Sequence, residues 1–265
     1  MERSSPYDDR FRCGLYSPVV FDDNKLMYTY LFFDCDNTLL DFDQGERNAF
    51  SILCKELDID PGSYPLYHTL NSECWKEFER GELGQLELRM ERFRRFLPST
   101  GTTASAQEAS NLFLSALSTE GIPYPETKPM LTELRRRGYR LYLASNGIAF
   151  VQQGRYKACN LLSYVDGAFV SEEIGYQKPD PRFFDAVCKH EGITDKKQCV
   201  MIGDSLTSDI KGGKAAGIDT IWYRREGATK DDVIVPDRTI TRLTELLELL
   251  PPRSPARRPA PDSDR

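Results

Sequence analysis

The apolar run Tyr30 to Phe33 ends in Asp34-Cys35-Asp36. A run of this kind reads as a strand buried on both faces. Strand residues i and i+2 point the same way, so Asp34 and Asp36 are expected to share one site while Cys35 faces away. Two carboxylates at the tip of a buried strand are costly unless something positive neutralises them. A hard divalent cation with a phosphate beside it would do so. Three further groups have chemistry to offer. Ser145-Asn146-Gly147 closes another apolar run, and a hydroxyl and N–H groups opening toward a helix suit a phosphate oxygen. Lys178 precedes Pro179 in a polar loop. In Gly203-Asp204-Ser205-Leu206-Thr207-Ser208-Asp209, two carboxylates bracket the turn from a buried strand into a helix. Each piece alone has a plainer reading. A short acidic loop, Asp209 or Ser208 can cap a helix, and Ser-Asn-Gly is an ordinary turn.

These groups need elements to position them. Between Gln44 and Gly121 the pattern is helical. Phe50, Leu53, Cys54 and Leu57 form one stripe, Leu70, Trp75 and Phe78 a second. Leu86, Met90, Phe93 and Leu97 form a third, and Leu112, Phe113, Ala116 and Leu117 a fourth. Four helices without strands suggest a small bundle, at 44–121. From Ile122 onward strands alternate with helices: strands at 139–144, 167–170, 199–202 and 220–223, with helices at 128–137, 149–162, 181–190 and 209–216. Such alternation means βαβ units, hence an α/β fold with a Rossmann-like parallel sheet built from 25–43 and 122–250. In such sheets ligands sit at the carboxyl ends of the strands, where each group above falls. The stretches 1–24 and 251–265 lack a buried pattern and read as disordered extensions. Met27 is a second candidate start.

The net charge of -6 argues against a nucleic acid polymer or an anionic membrane as partner. No apolar run approaches a membrane span, and no secretory signal is visible. The seven cysteines form no Cys-x-x-Cys pair, which makes zinc a poor fit and a reducing, cytoplasmic setting the simplest one. The two histidines, His68 and His190, lack partner motifs, which disfavours histidine-based hydrolysis.

Asp34-x-Asp36-x-Thr38-Leu39 resembles the first motif of the haloacid dehalogenase superfamily. Ser145 matches the second, Lys178 the third, and Asp204 with Asp209 the fourth, in order and with none missing. The resemblance covers roughly 28–249, and the helical stretch falls where this superfamily carries a mobile cap. It implies Mg²⁺ held by Asp34, the Asp36 carbonyl, Asp204 and Asp209. It implies Asp34 as nucleophile and Asp36 as general acid and base, with Ser145 and Lys178 holding the transferring oxygens. Asn146 joins Ser145 in the expected phosphate contacts.

The superfamily's dehalogenases lack the second aspartate, so Asp36 favours phosphoryl transfer. The stretch from Cys74 to Leu83, with Leu88-Arg89 and Arg92-Phe93, is similar to bacterial 5′-nucleotidases acting on pyrimidine and modified pyrimidine monophosphates. On that resemblance Trp75, Lys76, Arg89 and Arg92 are candidate contacts to the leaving nucleoside. Trp75, Phe78 and Phe93 fit equally well as bundle core. A sugar-phosphate or phosphoglycolate-type phosphatase, or a phosphosugar mutase, shares every core residue and remains the alternative. A binding module without catalysis need not keep both Asp34 and Asp36. A small phosphomonoester is the expected partner, with monomer and homodimer both open.

Overall fold

The computed structural model describes residues 28–228 and 233–253. The expected N-terminal extension and Met27 lie outside the described residues, as does the expected C-terminal tail from 254 onward. Strand β1 (Tyr30–Phe33) comes first, followed by α1 (Phe42–Leu57), α2 (Tyr64–Glu79), α3 (Gln85–Phe96) and α4 (Ala106–Leu117). Then follow α5 (Thr127–Arg136), β2 (Arg140–Ser145), α6 (Ala149–Ala158), β3 (Gly167–Val170) and the single turn α7 (Ser171–Ile174). The chain continues through α8 (Pro181–Glu191), β4 (Cys199–Gly203), α9 (Lys211–Ala216), β5 (Asp219–Tyr223), β6 (Arg238–Ile240) and α10 (Leu246–Leu249).

All six strands are parallel, in the order β3-β2-β1-β4-β5-β6. The chain leaves β1 toward one edge and returns to its other side as β4. The crevice where strand order reverses therefore opens between the carboxyl ends of β1 and β4. Alternating residues face opposite layers. Leu31, Phe33, Leu141, Leu143, Val200 and Ile202 pack with Met130, Leu131 and Leu134 of α5. Phe32, Tyr142 and Met201 pack with Phe183, Phe184 and Val187 of α8. Local chemistry sets the helix ends. Asp180 caps α8, Pro181 opens it, and Gly192 closes it at φ 67°.

The four-helix insertion has its own interior of Phe50, Tyr67, Phe93, Phe96 and Phe113, joined by Ile148 and Val151 from the start of α6. Its two connections run side by side. Leu40 bridges antiparallel to Pro123, the Asp41 N–H donates to the Ile122 carbonyl at 2.8 Å, and the Tyr124 N–H donates to that of Leu39 at 3.1 Å.

Three features depart from the sequence expectation. Strand β6 was not expected, because Arg238-Thr239-Ile240 is too short to show alternation. The helix expected from Asp209 is instead a π-helical turn over Leu206–Ile210 that runs into α9. The core does not end at Leu250. Tyr139 donates to the Pro251 carbonyl at 2.8 Å, and the Arg253 N–H to that of Arg137 at 3.0 Å. Backbone hydrogen bonds, which carry no compositional signal, hold these first tail residues. Among the described residues no helix is long and apolar enough to cross a membrane.

Candidate active site

The β1 ladder runs one residue past the strand, since the Asp34 N–H donates to the Ile202 carbonyl at 2.9 Å. Asn37 then turns the chain at φ 62°, a left-handed conformation that asparagine tolerates. Cys35 is fully buried, with its Sγ 3.1 Å from the Tyr156 hydroxyl. It faces away from the site, as alternation requires.

Lys178 gathers the site. Its ammonium is fully buried and donates to Asp34 Oδ1 at 2.9 Å, to Asp209 Oδ1 at 2.7 Å and to the Ala144 carbonyl. Asn146 fixes the lysine's backbone on both sides: its Oδ1 accepts from the Lys178 N–H at 2.8 Å and its Nδ2 donates to the Lys178 carbonyl at 2.7 Å. The sequence suggested Asn146 as a phosphate contact, whereas here its side chain orders the lysine loop.

Asp34, Asp204 and Asp209 each offer a carboxylate oxygen, all within 4.8 Å of one another. A donor set of oxygens alone, without histidine or cysteine, fits a hard cation such as Mg²⁺. Thr38 and Asp204 are joined by a 3.1 Å bond from the Asp204 N–H to the Thr38 hydroxyl, and Trp222 Nε1 donates to the Asp204 carbonyl at 2.8 Å. Asp209 is fully buried and accepts from the Ser205 N–H at 3.0 Å. Gly203 is required by this close approach, because a Cβ there would lie 2.2 Å from Asp209 Oδ2.

Crowding shifts the charges. Burial, with the Asp209 and Asp36 carboxylates nearby, pushes the Asp34 carboxyl up to about 7 against the pull of Lys178. Burial, then the charges of Asp34 and Asp209, pushes Asp204 well above the usual carboxylate range. Burial opposes the Lys178 charge, but Asp209 and Asp34 outweigh it and hold the ammonium above its ordinary value.

The Asp36 carboxylate leaves this cluster. Gln152 Nε2 donates to its Oδ2 at 2.9 Å, and Arg155 pairs with its Oδ1. Gln152 Nε2 also donates to the Ser145 hydroxyl at 2.7 Å. The structure therefore brings Asp34, Lys178, Asp204 and Asp209 together, while Asp36 and Ser145 share Gln152 as a partner.

The insertion contributes differently from expectation. Arg92 is 1% exposed, donates to Asn71 Oδ1 at 3.2 Å and lies over the Phe93 and Phe113 rings. It belongs to the interior of the bundle. Trp75 packs edge-on against Phe78, Lys76 is exposed, and Arg89 pairs with Glu172 of the core at 2.5 Å. Among the described hydrogen bonds and ion pairs, none of the four engages the carboxylate site. Glu79 instead accepts from the Thr207 hydroxyl at 2.8 Å, beside the fourth motif. Sequence reasoning counted Thr38 in the first motif without giving it a role, and assigned none to Glu79, Gln152 and Arg155. A signal existed for the last two, which stand three apart on the helix that opens just after Ser145, and so share a face.

A family model described as haloacid dehalogenase-like hydrolase matches residues 28–217, the stretch carrying every carboxylate of this site. The chain belongs to the haloacid dehalogenase-like hydrolases. Among curated members, the chain is 34% identical over 227 residues to the pyrimidine 5′-nucleotidase PynA of Streptococcus pneumoniae, covering 85% of this chain and 96% of that one. It is 27% identical over 225 residues to the pyrimidine 5′-nucleotidase YjjG of Escherichia coli, covering 85% and 99%. The hydrolase YfnB of Bacillus subtilis, in a crystal structure described as magnesium-bound and as revealing interdomain movement, superposes with a TM-score of 0.79 at 30% identity, covering 84% and 98%. The haloacid dehalogenase-like core is thus shared over nearly the full length of these relatives.

Proposed function

We propose that this haloacid dehalogenase-like hydrolase is a Mg²⁺-dependent 5′-nucleotidase acting on pyrimidine nucleoside monophosphates, modified ones included. The observation that carries the phosphatase reading is the division between two aspartates. Asp34 sits on the lysine and beside two further carboxylates, while Asp36, two residues on, is held apart on Gln152 and Arg155. This division supports Asp34 as the nucleophile and Asp36 as the acid and base. The similarity to PynA and YjjG supports the nucleotide part.

The reaction proceeds in two displacements. An Asp34 oxygen attacks phosphorus, the ester P–O bond breaks, and Asp36 gives its proton to the leaving ribose oxygen. Water then attacks the aspartyl-phosphate, Asp36 takes a proton from it, the acyl P–O bond breaks, and Asp34 is restored with release of phosphate. Lys178 and the Ser145 hydroxyl neutralise and hold the phosphoryl oxygens. Asp34, Asp204, Asp209 and the Asp36 carbonyl would hold a divalent cation, whose charge would offset repulsion between an anionic nucleophile and an anionic substrate. The insertion acts as a cap. It meets the core through Glu79–Thr207, Arg89–Glu172, a 2.7 Å bond from Gln177 to the Phe78 carbonyl and a 3.1 Å bond from Gln85 to the Gly147 carbonyl. Along this seam lies a cleft of about 530 Å³ bounded by Phe78, Leu83 and Leu86 of the cap and by Tyr176 and Gln177 of the core. Its size suits a nucleoside, and it is lined by Gln177, next to Lys178, and by Tyr176, whose ring also carries the Arg182 guanidinium 4.4 Å from its centroid.

The test is kcat/KM for uridine and thymidine monophosphates against a hexose phosphate and phosphoglycolate, with and without chelator. Preference for the nucleotides and loss of turnover on chelation are expected. Preference for the non-nucleotides would leave only the general phosphatase reading, and full turnover in chelator would remove the metal from it.

A further inference from the structure

Arg155 is 1% exposed, and its guanidinium reaches three separate parts of the chain. One N–H pairs with Asp36 Oδ1. The Nε donates to the Glu120 carbonyl at 3.1 Å, in the returning connection between insertion and core. The plane of the group lies over the Phe42 ring, at the start of the outgoing side, 5.5 Å from its centroid. Arg155 also donates to Gln152 Oε1 at 2.9 Å, and the Gln152 amide in turn donates to Asp36 Oδ2 and to Ser145. Gln152 is equally buried. Both oxygens of Asp36 are thus engaged by a rigid pair of side chains on one face of α6. A buried arginine holds a carboxylate strongly through its planar, many-donor geometry.

We propose that Arg155 and Gln152 are positioning residues that set the Asp36 carboxylate for proton transfer, and that Arg155 links this setting to both connections of the cap. The inference rests on the two-displacement reading above. Neither residue touches the transferring phosphoryl group in this reading. Arg155 acts through Asp36, and Gln152 through Asp36 and the Ser145 hydroxyl. A cap that shifts relative to the core must move Phe42 or Glu120, and either movement changes the support on which the guanidinium rests. The acid and base would then be in register only when the cap is seated.

The reaction offers a way to separate this role from general stability. Protonation of the leaving group matters for a ribose oxygen and little for 4-nitrophenolate. Deprotonation of the attacking water matters for both. Rapid-quench and steady-state kinetics on Arg155→Met and Gln152→Leu therefore give distinct signatures. For uridine monophosphate, kcat should fall about 100-fold, the lower end of what general acid–base catalysis contributes, with KM within about threefold of wild type. For 4-nitrophenyl phosphate, the Arg155→Met burst of nitrophenolate should keep its rate within about threefold while steady turnover falls. In an Asp36→Asn background, adding Arg155→Met should change kcat less than about twofold, because the residue it supports is already gone. Phe42→Leu should lower kcat by a few fold at unchanged KM. Circular dichroism checks each fold, and if Arg155→Met does not fold, Arg155→Gln carries the same comparison. Additive losses in the Asp36→Asn background, a burst lost along with turnover, or a change confined to KM would overturn the positioning role. Unchanged kcat in Phe42→Leu would overturn the link to the cap. A wild type that forms no aspartyl-phosphate would instead mean that the reaction itself was misread.

Discussion

Replacing Lys178 with methionine tests the electrostatic account of the site most directly. The ammonium is fully buried and makes two charge-assisted bonds, at 2.9 and 2.7 Å, to Asp34 and Asp209. Methionine keeps the length of the chain and removes the charge. Hydrogen bonds to charged groups contribute about 1.5–3 kcal/mol each, and breaking a buried pair by removing one partner costs about 3–5 kcal/mol. The two figures agree on a loss of about 3–5 kcal/mol. For a protein of this size, 1 kcal/mol moves Tm by about 2–4 °C, so the metal-free variant should melt about 6–20 °C below wild type at pH 8. Asp34 and Asp209 would respond by taking up protons, which places the result nearer the lower figure. Mg²⁺ should raise the Tm of Lys178→Met by more than that of wild type, because three carboxylates freed of the ammonium bind a cation more tightly. The assay is differential scanning calorimetry with and without chelator, beside a check that turnover is lost. A metal-free Lys178→Met protein melting within about 2 °C of wild type would refute the claim that this lysine neutralises the buried carboxylates.

Asp34→Asn should abolish turnover yet raise the Tm of the metal-free protein at pH 8. A carboxyl pushed up from 3.8 to about 7 by burial and its neighbours loses stability for the fold as pH rises between those values, and the amide avoids that loss; a lower Tm would contradict this sign. His68 Nδ1 donates to the buried Glu46 carboxylate at 2.6 Å, which raises the imidazole above its usual 6.5. Its stabilising contribution is complete below pH 6.5 and fades as pH rises through the higher folded value. Urea midpoints measured from pH 6 to 9 should therefore decline in wild type relative to His68→Gln, and parallel profiles would count against the pair.

The sheet was legible because its strands are continuous apolar runs and its turns carry glycine, proline and aspartate. The carboxylate cluster was legible because Asp34 and Asp204 each stand at the end of such a run, with Asp209 in the turn just beyond. What escaped the sequence depends on contact between distant residues. Thr38 orders Asp204 across 166 positions, and no local pattern marks a hydroxyl for that duty. The same blindness hid β6, which is a strand only because β5 offers it a ladder. Arg92 shows the opposite error. Its type suits a ligand, but helical spacing alone does not say which side of a bundle meets the substrate, and Arg92 turned inward to Asn71.

The paired connections at Leu40 and Pro123 make the bundle separable from the chemistry it covers. The chain leaves the sheet and returns to it through neighbouring backbone segments that the core clamps with its own hydrogen bonds. A graft therefore needs termini that meet at this junction, about 4.8 Å apart as in paired strands, an apolar face for Ile148 and Val151, and counterparts of Phe42 and Glu120 beside the Arg155 guanidinium. The length of the graft matters little, since doubling a loop costs only about 0.6 kcal/mol in closure. The junction is in this sense a socket. A bundle exchanged there would change what meets the leaving group, while Asp34, Lys178, Asp204 and Asp209 stay on the core side of the joint.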